Sequence, residues 1–308
     1  MTMRLGIIGS SEGNGHPFSF SAIVNGYDPP QLRAAGWGPI ADYLDPRDPA
    51  DFGIGDVRIT HAWCPELAET EALRRTADIP HTVREPHDMI SEVDGVLIAR
   101  DDWQSHRSLA MPFLEAGVPV FLDKPLSLDD SDLQAFRPHL LAGRLMSCSG
   151  YRFAPELDAL RAAATTAPAP LALTGVGPRA WDRYAVHLVE PLLTLTSARP
   201  VGIVNLHGEH DSAAIELSDG AVITIHCLGD QAPGFALNIT SATTRHDIVL
   251  ADRFTAFRRL LATFAGMVDT NEPAIDPDDT LTVMEVLMAR HNASGTARWA
   301  PVERSGSR

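Results

Sequence analysis

Cysteine is scarce in this 308-residue chain, and Cys64, Cys148 and Cys227 stand far apart with no CxxC spacing. That excludes a disulfide framework, and all three read as core thiols in a reducing compartment. No HxH or HExxH pattern occurs, so His207, His210 and His226, all on or beside expected strands, give no reason to expect a metal. Basic runs are absent from a chain of net charge −15 and pI near 5.1, which argues against nucleic acid and anionic membranes as partners. The N-terminus has no apolar stretch long enough for a signal peptide or a membrane span, so a cytoplasmic location is expected. There is no internal repeat and no low-complexity tract. What is present is 44% apolar sequence, enough to core two domains or one large one.

The first 125 residues alternate strands and helices, the pattern of a parallel sheet. A short apolar strand from Arg4 runs into the glycine-dense turn Gly9-Ser10-Ser11-Glu12-Gly13-Asn14-Gly15. Glycines let a backbone approach a pyrophosphate, although Ser11 stands where a dinucleotide fingerprint wants glycine, and a plain turn fits these residues equally well. Residues 27–55, rich in Pro, Asp and Gly, read as an insertion before the strand Val57–Trp63. A helix at 65–77, a short strand near 81–84, an apolar run at 93–99, a helix at 106–116 and a strand at 118–122 follow. Beyond this the pattern changes. Helices near 129–141 and 155–164 lead into alternating segments at 201–207, 213–217, 221–228 and 235–241, which read as antiparallel strands. Amphipathic helices are expected at 254–268 and 278–292, then a disordered tail at 303–308.

Two places carry chemistry. Asp123-Lys124-Pro125 follows the apolar run Val118–Leu122, which puts an ammonium group beyond the carboxyl end of a buried strand, where open α/β sheets bind ligands. A surface lysine in a strand-to-helix loop is the alternative. Ala185-Val186-His187-Leu188-Val189-Glu190-Pro191 sets a histidine and a carboxylate three residues apart in an apolar segment. Pro191 belongs near a helix start, so the helix should begin close to His187. The positive end of its dipole would then keep the imidazole neutral and able to accept a proton, while a core histidine bonded to backbone is the alternative.

Together these residues resemble the Gfo/Idh/MocA oxidoreductases, named for glucose–fructose oxidoreductase and inositol dehydrogenase. The resemblance rests on Val93–Ala99, His106, and Leu114–Leu126 with its Asp-Lys-Pro block. Tyr151-Arg152-Phe153-Ala154-Pro155, Tyr184–His187 with Glu190, and Ser294-Gly295 are also similar. It implies an α/β chain with an N-terminal Rossmann-type domain, 1–125, and a C-terminal α+β domain, 126–308. The second domain would carry a large, open, mainly antiparallel sheet for substrate binding and for assembly into a dimer or tetramer. NAD or NADP would contact Gly9, Ser10, Ser11, Gly13, Ala99, Arg100, His106, Asp123 and Lys124, and Glu66 after the second strand favours NAD. A sugar, sugar nucleotide or cyclitol would meet Lys124, Arg152, Arg183, Tyr184 and His187. Hydride would pass between the nicotinamide and a carbinol carbon while His187 takes the hydroxyl proton and Lys124 polarises the oxygen.

The chain also departs from the family pattern. Arg183 and Ala185 stand where the family often has aspartate and glycine, and Asp182, the candidate third member of a catalytic set, is one residue out of register. Two other functions therefore stay open: a hydrolase or lyase that oxidises its substrate transiently, and a silent nucleotide- or sugar-binding regulatory protein.

Overall fold

The computed structural model describes residues 2–163, 168–293 and 300–303. Ser294-Gly295 and the tail from 304 lie outside them. The chain forms two compact units. The first takes residues 1–126, 135–147 and 257–277, so two later segments join the N-terminal stretch; the second takes 127–134, 148–256 and 278–308.

In the first unit β1 (Met3–Ile8) leads through the glycine turn into α1 (His16–Asn25). The segment read as an insertion is ordered: α2 (Pro29–Ala34) starts on Asp28, whose carboxylate accepts from Gln31 N at 3.0 Å, and α3 (Gly38–Leu44) follows. Prolines in the first turn of each helix suit these starts. Then come β2 (Val57–Trp63), α4 (Leu67–Thr76), β3 (His81–Thr82), β4 (Gly95–Ile98), α5 (His106–Glu115) and β5 (Val120–Leu122). After α6 (Asp130–Leu141), β6 (Leu145–Met146) closes the edge. All six described strands are parallel, in the order β3-β2-β1-β4-β5-β6. This is the doubly wound order, which reverses between β1 and β4 and leaves a crevice at their carboxyl ends. Leu5, Ile7, Ile8, Val96, Leu97, Ile98, Val120, Phe121 and Leu122 are all buried, as strands covered on both faces require.

The second unit contains α7 (Asp158–Ala163), β7 (Pro170–Gly177), α8 (Trp181–Tyr184) and α9 (Val186–Leu193). They are followed by β8 (Pro200–Leu206), β9 (Asp211–Leu217), β10 (Val222–Cys227), β11 (Phe235–Ser241) and β12 (Arg245–Leu250). The chain ends with α10 (Arg253–Thr270), α11 (Pro277–Asn292) and β13 (Ala300–Pro301). Among the described residues its sheet has seven strands, ordered β12-β11-β7-β10-β9-β8-β13. Every pairing is antiparallel except β7 with β10, so the sheet is mixed and mainly antiparallel. Leu173, Ile215, Ile223, Ile225, Leu237 and Ile239 bury one face. Helix α9 lies so close to β7 that a Cβ on Gly175 would sit 3.0 Å from Leu188 Cβ, which accounts for glycine in that strand. No described helix is long and apolar enough to cross a membrane.

Candidate functional site

In the first unit the loops after β1, β4 and β5 meet through side-chain bonds. Gly9 N donates to Trp63 O at 2.9 Å, and a Cβ there would meet the Pro17 ring at 2.7 Å, so only glycine fits the turn. Gly15 is equally confined: a Cβ would lie 2.5 Å from Ile40 and 2.7 Å from the Trp37 ring. The segment between α1 and β2 thus seats the glycine loop. Asp123, buried after β5, receives Asn14 Nδ2 at 2.9 Å and faces His16 Nδ1 at 2.6 Å on one oxygen, and takes Lys124 N at 2.9 Å on the other. Burial alone would push this carboxyl up. The charges of His16 and Lys124, with the bonds from His16 and Asn14, hold it far below the usual carboxylate range.

Lys124 is the only lysine in the sequence; every other side chain among the 25 Lys and Arg is arginine. It is also 4% exposed, with Nζ 3.4 Å from Asp101 Oδ2. An amine can give up a proton and return it, which a guanidinium does not do. Asp101 in turn accepts from Ser11 Oγ at 2.6 Å, which ties the lysine's partner to the glycine loop. Ser10 Oγ donates to Glu69 at 2.5 Å. His106 faces two backbone carbonyls, Leu126 O at 2.9 Å and Arg100 O at 2.7 Å, and so bridges the loops after β4 and β5. Arg100 is engaged by Asp102 through two bonds, of 3.0 and 2.7 Å. Burial pushes the Cys64 thiol up to about 12, so it is no nucleophile at neutral pH.

The second unit gathers its polar groups around Ser149, which caps the 3₁₀ turn Gly150–Phe153 by accepting from Tyr151 N at 3.2 Å. His187 and Glu190, one turn apart on α9, both reach this serine. His187 Nδ1 lies 2.7 Å from Ser149 Oγ, and Ser149 N donates to Glu190 Oε2 at 2.6 Å. Tyr151, Tyr184 and Phe235 set their rings at steep angles to the imidazole, with centroids 5.2 to 5.6 Å away. Arg152 reaches Glu190 Oε1 at 3.4 Å and Asp279 at 2.7 Å. Burial pushes the Glu190 carboxyl up to about 7, outweighing the pull of Arg152 and of the Ser149 amide.

Residues 40–138 match the family model GFO_IDH_MocA, described as an oxidoreductase family with an NAD-binding Rossmann fold. No curated protein matches the chain. Among solved structures, scyllo-inositol dehydrogenase from Lactobacillus casei, with bound cofactor NAD(H) and scyllo-inositol, is similar at TM-score 0.77 and 14% identity, over 98% of this chain and 99% of that one. Myo-inositol dehydrogenase from Lactobacillus casei, in complex with NAD(H) and myo-inositol, gives 0.76 and 12%, over 100% and 99%. Myo-inositol 2-dehydrogenase from Lactobacillus plantarum gives 0.75 and 15%, over 98% and 100%. At these identities the likeness is one of fold.

The matched segment carries the Asp-Lys-Pro block at the end of β5, and the structure gathers Ser11, Asp123 and Lys124 there with Asp101, Asn14 and His16. The last three escaped the sequence reading. Asn14-Gly15-His16-Pro17 did offer a signal, being the start of a helix with proline in its first turn. The count of one lysine was another. In the second unit His187 sits on α9, whose start at Val186 agrees with the position that Pro191 implies. Asp182 lies exposed on α8 with its carboxylate 3.1 Å from His291 Nε2, and the described partner of His187 Nδ1 is Ser149. Arg183 is exposed and Tyr184 half-buried. Ser149 had only a weak signal, a serine ahead of a turn.

Proposed function

We propose that this protein is a nicotinamide-dependent dehydrogenase that moves a hydride between its cofactor and a secondary alcohol or ketone of a sugar, sugar nucleotide or cyclitol. The observation that carries the reading is Lys124: the single lysine of the chain, buried after β5 of a sheet with dinucleotide-binding order, beside a carboxylate tied to the glycine loop. The loop fits a dinucleotide. Gly9 and Gly15 leave no room for side chains, so the backbone of this loop can approach a phosphate closely.

Ser10, Ser11, Gly13, Ala99 and Arg100 are the contacts proposed around the cofactor, with Asp123 and His106 holding their loops in place. Glu66, exposed at the start of α4, makes no side-chain cap bond, and no lysine or arginine lies between Ile59 and Leu73. A ribose hydroxyl suits that acid better than a 2′-phosphate, which favours NAD over NADP. The nicotinamide supplies the hydride chemistry when bound. Lys124 is the group proposed to exchange the proton of the substrate oxygen, and His187, Arg183 and Tyr184 are proposed as substrate contacts. Asp182 is given no proton to carry, because its carboxylate engages His291. A homo-oligomer remains part of the proposal, through the outer side of the second sheet, where Val249 is 66% exposed.

Ser11 and Arg183, two departures from the family pattern, favour one second reading, binding without turnover. Calorimetric titration with NAD⁺, NADH, NADP⁺ and NADPH, followed by assays of NADH formation with scyllo-inositol, myo-inositol and simple sugars, separates the two. Binding of one nucleotide pair with turnover of a polyol is the expected result. Binding with no turnover of any alcohol or ketone selects the second reading, and no binding at all defeats the first.

A further inference from the structure

The hydrogen-bond accounting at Ser149 decides which nitrogen of His187 carries the proton. Ser149 Oγ is fully buried and has two partners, Tyr151 N at 3.2 Å and His187 Nδ1 at 2.7 Å. A backbone N–H only donates, so the Tyr151 amide occupies a lone pair of the hydroxyl oxygen. The hydroxyl's single hydrogen then needs an acceptor. Glu190 is the other acceptor at hand, but its Oε2 takes the serine's backbone N–H at 2.6 Å. What is left is Nδ1. The opposite arrangement, Nδ1–H donating to Oγ, would bury the serine hydrogen without a partner, and buried polar groups are rarely left so.

We propose that Ser149 is the positioning residue of His187 and holds it in the Nε2–H tautomer, so that His187 meets a ligand oxygen as a hydrogen-bond donor and not as a base. The backbone supports this arrangement from both sides. As the cap of a 3₁₀ turn Ser149 is held extended, at φ −71° and ψ 138°, and Glu190, three residues beyond His187 on the same helix, grips its amide. Tyr151, Tyr184 and Phe235 wall the ring with aromatic surface.

This rests on the dehydrogenase reading for its chemical consequence. With His187 already carrying Nε2–H, the proton that balances the hydride falls to Lys124. In the reducing direction a bound reduced nicotinamide would supply the hydride to the carbonyl carbon, the C=O π pair going to oxygen. That oxygen would take a proton from the Lys124 ammonium, leaving a neutral amine, and His187 would keep its own proton. Oxidation runs the same transfers backwards.

The test uses the full chain labelled with ¹⁵N-histidine and a two-bond ¹H–¹⁵N correlation spectrum, with His187 assigned as the ring signals lost in His187→Gln. A protonated Nε2 and a bare Nδ1 are expected. A protonated Nδ1 overturns the proposal whether or not the enzyme turns over. Ser149→Ala should shift the His187 pattern towards a mixture and lower kcat at least about tenfold with nucleotide affinity unchanged. Ser149→Thr, which keeps the hydroxyl, should retain the wild-type pattern and rate. A pattern unmoved in Ser149→Ala also defeats the assignment. Absence of turnover with every substrate would sink the dehydrogenase reading alone, because the spectrum of the wild-type chain still settles the tautomer.

Discussion

Replacing Glu190 by glutamine separates burial from charge at the centre of the second unit. Its carboxyl is pushed from an ordinary 4.5 to about 7 in the folded chain. Below 4.5 both folded and unfolded chains hold the proton, and the group adds nothing that varies with pH. Between 4.5 and 7 the unfolded chain releases the proton and the folded chain keeps it, so stability falls as pH rises through that window and levels off above it. At about 1.4 kcal/mol per pH unit the full loss is about 3 kcal/mol. Glutamine mimics the protonated side chain and still offers Ser149 N an acceptor. Urea unfolding of wild type and Glu190→Gln at pH 5 and pH 8 should therefore show the variant gaining about 2 to 3 kcal/mol on the wild type between the two pH values. With a slope of about 3 kcal/mol per molar, that is a relative midpoint shift of roughly 0.8 M. Other titrating groups cancel in the double difference. A gap that stays constant with pH would show that Glu190 is ionised throughout, with Arg152 outweighing burial.

Lys124→Met combined with Asp101→Asn, which avoids stranding a buried carboxylate, should cut turnover by about 10² or more and leave nucleotide binding measurable by calorimetry. Unchanged turnover would remove Lys124 from the chemistry. Asp123→Asn breaks a buried, charge-assisted cluster and should cost about 3 to 5 kcal/mol at pH 7, read by urea unfolding. Because the folded carboxyl is held far below its ordinary value, the wild type should lose that advantage as pH falls below about 4, so the two unfolding curves should converge in acid. Gly15→Ala should cost about 1 to 3 kcal/mol by overpacking Trp37 and Ile40, with weaker nucleotide affinity in the same titration. Full affinity in a destabilised Gly15→Ala would show that the loop's seating does not govern the cofactor site.

Much of the fold was legible because its strands announce themselves. Val57–Trp63 and Phe235–Ser241 were readable to the residue, one as a mainly buried strand and the other as a clean alternation. Leu145–Met146 is too short to carry a period, and Pro170–Gly177 spends two of its inward positions on glycine, so hydrophobic patterning could not mark it. Residues 27–55 looked irregular because Pro and Gly are read as breakers, whereas here the prolines occupy first turns of short helices. At the site, Lys124 and His187 stand out as chemical groups in apolar sequence. Their partners do not. Asp101 is 23 residues from Lys124 and Ser149 is 38 from His187, and those pairings follow from where the sheet and α9 bring the chain.

The first unit's discontinuity also governs when it can be finished during synthesis. Residues 257–270 of α10 cover its sheet: Phe264 sets its ring 6.1 Å from that of Phe121, Val268 crowds Gly95, and Phe257 lies against His16 and Phe20. About 150 residues separate the end of the N-terminal stretch from the end of this cover. At 5 to 20 residues per second, roughly 8 to 30 s of translation pass between them. Throughout that interval the nascent sheet carries an open apolar face, while nearly every strand of the second sheet emerges behind it. A ribosome-bound chain stalled shortly after residue 126 should therefore recruit a holdase chaperone, and one stalled well beyond 277 should release it.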